Sequence, residues 1–116
     1  MRRRGMTVLV LREGEYTNGG KNLVLGKPTK IYGQGRGRTT LVGFSLEIKG
    51  NKSGGIVEIG ELTIKGAKEY GLETYKGMKV IMRGCTVEEC GGNGVCANRA
   101  DITCDDLQVI GCGGSG

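Results

Sequence analysis

The sequence predicts an all-β solenoid of about five short coils with three strands per coil, each coil covering the next. Three observations carry this. First, residues 62–116 divide into pieces of about 22 residues that align with one another. Leu62, Cys85 and Leu107 share one column, Ile64, Val87 and Val109 a second, Ala67, Cys90 and Cys112 a third, and Gly71, Gly94 and Gly116 a fourth. Val57, Val80 and Ile102 extend the register backward, as do Ile59, Met82 and Cys104. Second, apolar residues within each piece recur two apart, the period of a strand with one face turned inward. Third, 24 of 116 residues are glycine with no Gly-x-y period, so the glycines mark turns.

Residues 1–6, with the run Arg2, Arg3, Arg4, read as a flexible basic leader, and residues 7–116 as one domain, either whole or a truncated solenoid. Thr7 to Leu11 reads as a strand, Gly14-Glu15-Tyr16 as a turn leading out of it, and Asn18-Gly19-Gly20 as a second turn. Asn22 to Leu25 and Thr29 to Tyr32 are strands broken by Gly26-Lys27-Pro28. Phe44, Leu46 and Ile48 alternate with Ser45, Glu47 and Lys49, giving one apolar and one polar face. Asn51 to Gly55 is a polar loop. Each later coil then holds three short strands: Val57 to Ile59, Leu62 to Ile64 and Leu72 to Thr74, followed by Val80 to Met82, Cys85 to Val87 and Val95 to Ala97. The alternation changes phase at Gly84-Cys85 and Asp106-Leu107, which marks corners. No dozen residues show a helical period.

Charge is distributed unevenly along the chain. Net charge is +5. Residues 1–40 are rich in Lys and Arg, whereas residues 84–116 set Arg99 alone against Glu88, Glu89, Asp101, Asp105 and Asp106. A basic leading end suits an acidic partner in principle. Five cysteines in no evident pairing, with no secretory segment, point to a reducing, intracellular (cytoplasmic) setting. No stretch approaches a membrane span. The last coil stops at Gly113-Gly114-Ser115-Gly116 without a polar cap, so the expectation is either a fragment of a longer solenoid or an open end covered by another chain or a second copy.

With these residues in hand, the chain resembles the right-handed parallel β-helix, or pectin lyase-like, superfamily. The segment KPTKIYGQGRGRTTLVG, Lys27 to Gly43, is similar to an early coil of such proteins, and GLETYKGMKVIMRGCTVEECGG is similar to their generic coil. The resemblance implies a polysaccharide-handling groove on the strand after the turn glycine at Gly43, Gly71 or Gly94. If Leu46, Ile48, Leu72, Val95 and Ala97 point inward, then Glu47, Lys49, Glu73, Tyr75, Cys96 and Asn98 point outward. Lys68, Lys76 and Arg99 flank them. The ligand-binding residues expected are Lys49, Glu73, Tyr75, Asn98 and Arg99, with Tyr70 and Tyr75 available to stack on a sugar.

The enzyme signatures of that superfamily do not carry over. Its hydrolases need a histidine and this chain has none; its lyases need clustered aspartates, where this chain holds Glu73 and Cys96; its esterases need two aspartates and an arginine on adjacent groove strands. No catalytic residue, cofactor or metal ligand is therefore assigned, and the cysteine spacing fits no zinc motif. Glu73 with Lys49 or Lys68 reads as an ordinary cross-strand charge pair rather than an acid and base. Gly33-Gln34-Gly35-Arg36-Gly37-Arg38 is a solenoid turn whose arginines can touch an anion. No helix follows to hold a phosphate, and the aromatics of RNA-binding modules are missing, which argues against nucleic acid. Cys85, Cys90, Cys104 and Cys112 read as small buried hydrophobes and Cys96 as a solvent-facing thiol. Cys90 and Cys112 stack within disulfide range, although stacked parallel neighbours seldom meet the geometry. The expectation is a non-catalytic binding or structural module for carbohydrate or another protein chain. The alternative is a fragment of a polysaccharide-active lyase, esterase or epimerase.

Overall fold

A computed structural model describes residues 7–19, 21–49, 55–75, 77–98 (the last by its backbone alone) and 101–113. Twelve strands and no helix occur among them. The first coil is β1 (Thr7–Val10), β2 (Gly14–Tyr16) and β3 (Leu23–Leu25). The second is β4 (Thr29–Tyr32), β5 (Thr39–Val42) and β6 (Leu46–Ile48), and the third is β7 (Ile56–Gly60), β8 (Thr63–Lys65) and β9 (Leu72–Tyr75). In the fourth, β10 (Lys79–Glu88) runs through two sides and β11 (Val95–Asn98) makes the third, while β12 (Asp101–Ile110) adds two sides of a fifth. The expected parallel solenoid is present, with four complete coils and two sides of another among the described residues.

Every strand pairing is parallel and joins neighbouring coils. The ladder aligns Val57, Val80 and Ile102, then Ile59, Met82 and Cys104, then Ile64, Val87 and Val109, the columns read from the repeat. Earlier coils join the same columns, because Leu9 and Ile31 precede Ile59 and Leu41 precedes Ile64. The third side stacks Leu23, Leu46, Leu72 and Val95, beside Leu25, Ile48, Thr74 and Ala97. In the middle coils these side chains are closed to solvent. Each fully buried aliphatic contributes roughly 1.5–3 kcal/mol relative to leaving it exposed, so the middle of the cylinder dominates stability.

The corners arise from backbone conformation that repeats from coil to coil. Glu61 (φ 57), Gly84 (φ 62) and Asp106 (φ 61) lie in the left-handed region at the corner between the first and second sides. Glycine adopts that region readily, whereas Glu and Asp do so at a cost that the surrounding ladder must offset. Arg36 of the second coil reinforces this corner in the fourth and fifth coils. Its guanidinium donates to the Cys85 carbonyl at 3.0 Å, to the Asp106 carbonyl, and to Asp106 Oδ1 at 3.2 Å. The arginine-glycine turn is thus a brace across coils, and Arg36 is engaged within the protein rather than offered to an outside anion.

Three further expectations change. Gly14–Tyr16 is a strand, because its backbone pairs with Thr39–Leu41 of the next coil. Cys104 is exposed and Cys112 half-exposed, while Cys85 and Cys90 are buried. Cys104 does occupy an inward column, but no described strand lies above it. The same reason leaves Ala97 exposed and Val95 half-buried on the last rung of the third side. Residues 1–6, the loop at 51–54, Lys76, Arg99 and residues 114–116 lie outside the described residues.

Candidate functional site

The strands expected to carry the site make up the third side of the cylinder, β3, β6, β9 and β11. Alternation turns Leu46, Ile48, Leu72 and Thr74 inward and fully buries them, which leaves Glu47, Glu73 and Tyr75 on the outside, each half-buried. The ladder places Val24, Glu47, Glu73 and Cys96 in one outer row. Tyr75 lies in the next, Lys49, one residue past Ile48, falls level with it, and Asn98 is its backbone register partner on β11. The backbone thus brings Lys49, Glu73, Tyr75 and Asn98 to one face. Arg99 lies outside the described residues.

Two glutamates on adjacent rungs repel each other, and neighbouring groups relieve the repulsion. Asn22 donates its amide N–H to Glu47 Oε1 at 2.8 Å, and Lys49 Nζ lies 4.0 Å from Glu47 Oε2. Lys49 therefore serves Glu47, not Glu73. The Tyr75 hydroxyl is hydrogen-bonded to Glu73. That bond first, then desolvation and the charges of Glu73, Glu47 and Cys96, push the Tyr75 phenol up to about 12. Tyr75 is therefore a neutral donor at physiological pH.

Beside this row is a shallow depression of about 440 Å³, lined by Asn22, Gly43, Ser45, Lys68, Glu69 and Glu73. Its floor is fixed by the turn. Asn22 Oδ1 accepts the Ser45 backbone N–H at 3.1 Å, and the Ser45 hydroxyl donates to the Tyr70 carbonyl. The face offers carboxylate acceptors, amide and ammonium donors and a phenol ring, arranged along the coil axis. Such a set can hydrogen-bond a chain of hydroxyls. Sequence reasoning placed Glu47 outward without counting it as a ligand residue, and it did not single out Asn22. The interaction joining the two spans 25 positions, and Asn22 lies just before β3, outside the regular columns of the later coils.

The second side offers a different surface. Glu15, Thr40, Thr63, Thr86 and Gln108 form its outer row. A depression of about 430 Å³ lies over it, walled by Arg36 and Gly37. Its hydroxyls are largely occupied: Thr63 Oγ1 accepts the Gly37 N–H at 3.0 Å, and Thr86 Oγ1 lies 3.5 Å from Gln108 Oε1. The third side is the better candidate because its outer face adds an aromatic ring, Tyr75, to a comparable set of polar groups.

Among the described residues no group of three or more His, Cys, Asp or Glu side chains is placed to hold a metal ion. No described helix is long and apolar enough to cross a membrane. No protein-family model matches the chain, and no curated protein or solved structure is significantly similar to it.

Proposed function

We propose that the chain is a non-catalytic binding and structural module of the pectin lyase-like type, which takes carbohydrate along the outer row of its third side. The observation that carries this reading is the Asn22, Glu47, Glu73 and Tyr75 set, held by the ladder beside an open depression. Saccharide hydroxyls both donate and accept, so a mixed set of acceptors and donors suits them. A glycan array tests it, run with the unchanged protein and with Glu73→Ala and Tyr75→Ala. Binding that falls at least about tenfold in both variants supports the reading, since each removes a hydrogen-bonding group at the site. Absence of binding, or binding indifferent to both changes, removes it.

The end coils support association with another chain, a second copy included. Ile102, Leu107, Val109 and Cys112 are only partly covered on the last rung, and Val8, Leu9 and Val10 are exposed on the first. Asp101, Asp105 and Asp106 on the last coil oppose the Lys27 and Lys30 end in sign. A solution mass that stays monomeric at all concentrations would remove this part. The five thiols support a reducing, intracellular setting.

Glu47 and Glu73 on neighbouring rungs favour a second reading, a piece of a lyase, esterase or epimerase whose remaining groups lie on further coils. Release of new reducing ends or unsaturated products from a polysaccharide panel would support it over the binding module.

A further inference from the structure

Cys90 and Cys112 stand in one inward column on neighbouring coils. The Gly113 N–H donates to the Cys90 carbonyl at 2.9 Å, the ladder bond that sets these two residues side by side. Parallel neighbours in such a ladder lie about 4.8 Å apart, inside the roughly 4.4–6.8 Å Cα separation of disulfides. Each thiol lies within reach of a backbone carbonyl, Cys90 Sγ 3.5 Å from the Glu88 oxygen and Cys112 Sγ 3.7 Å from the Ile110 oxygen. Glycines keep the space around them clear: a Cβ on Gly71 would lie 3.3 Å from Cys90 Sγ, and one on Gly94 would lie 3.4 Å from Cys112 Sγ. Cys90 is 3% exposed, whereas Cys112 is half-exposed. Burial first, with the adjacent Cys112 thiol adding to it, raises the Cys90 thiol above its ordinary value. Exposed Cys104 differs, since its ladder neighbour is Met82 and offers no second thiol.

We propose that Cys90 and Cys112 form a reversible dithiol–disulfide site, oxidised by a low-molecular-weight disulfide, that staples the fifth coil to the fourth. The Cys112 thiolate attacks one sulfur of the small disulfide, and the other sulfur leaves as a thiolate. Cys90, beside it on the adjacent coil, gives its proton to solvent and attacks Cys112 Sγ, expelling the second small thiolate. Two protein thiol hydrogens leave as protons and the small disulfide takes up two electrons, becoming two small thiols. The mixed disulfide is short-lived because its resolving thiol is in place. The product ties the fifth coil to the fourth, the one neighbour it has among the described residues.

The test treats folded, reduced protein with glutathione disulfide, using the Cys96→Ser/Cys104→Ser double variant to leave Cys90 and Cys112 beside buried Cys85. The expected product has lost two hydrogens in mass and keeps no glutathione. Cleavage after Arg99 then leaves two peptides joined through Cys90 and Cys112 until a dithiol reductant separates them. Adding Cys112→Ser abolishes the joined product. In the oxidised protein, amide exchange across Asp101–Ile110 slows by at least about tenfold. A lasting glutathione adduct on Cys112, no reaction, or a bond through Cys85 overturns the pairing. Unchanged exchange in the cross-linked protein overturns the stapling.

Discussion

Met82 and Cys104 are register partners in one inward column, yet Met82 is 0% exposed and Cys104 is open to solvent. Val80 and Ile102 differ in the same way, as do Val87 and Val109. Nothing in the side chains explains this, since all are apolar or nearly so and all turn inward. The difference is the presence of a strand above. Burial in this protein belongs to the stacking of coils, so the middle of the cylinder and its last described rung should respond differently to the same change.

Close backbone approach gives the largest expected contrast. A Cβ on Gly91 would sit 2.0 Å from the Lys68 carbonyl, and one on Gly113 would sit 2.2 Å from the Gly91 carbonyl. The clashes are alike, but Gly91 is held between coils on both sides. Gly91→Ala should cost about 4 kcal/mol or more, or abolish folding, whereas Gly113→Ala should cost about 1 kcal/mol, read by denaturant unfolding. Equal costs would break the comparison. Core truncation comes next. Ile64→Ala should lose about 3 kcal/mol through transfer and cavity formation, and Val109→Ala less than about 1 kcal/mol because its site is already partly wet.

A smaller effect, of opposite sign, belongs to Thr74. It is fully buried in the Ile48, Thr74 and Ala97 column, and its hydroxyl finds no hydrogen-bond partner among the described residues. Thr74→Val should stabilise the protein by about 1 kcal/mol, visible as a raised melting temperature. A loss of stability would mean the hydroxyl is satisfied. The smallest effect is electrostatic and falls on the outer row. The Tyr75 phenol is raised from its ordinary value of 10.0 to about 12, so its contribution to stability is fully present below pH 10 and is lost as pH rises through 12. Glu73→Gln should bring the Tyr75 titration back toward 10.0, followed by phenolate absorbance. An unmoved titration would show that Glu73 is not the cause.

Much of the ladder was legible in the sequence because its cause is local and repeated. Ile64, Val87 and Val109 recur at near-constant spacing, and stacking like on like follows from that alone. The corner at Asp106 was legible from the break in alternation. Gly14–Tyr16 was not, because a Gly-Glu-Tyr segment has no alternation of its own and becomes a strand through pairing with Thr39–Leu41. The role of Arg36 was hidden too, since its partners at Cys85 and Asp106 lie 49 and 70 residues away. The candidate face was legible as an in-and-out pattern at Glu73 and Tyr75. Its hydrogen bonding was not, because the Asn22 to Glu47 bond depends on the turn geometry of the first two coils.

Titration of an oligosaccharide panel into isotope-labelled protein, read at individual amides, tests the central claim most directly. The binding-module account predicts that a sugar which binds shifts the amides of Glu47, Glu73 and Tyr75 while those of Thr40, Thr63 and Thr86 stay in place. Silence across the panel, or shifts gathered on the threonine row, would contradict it.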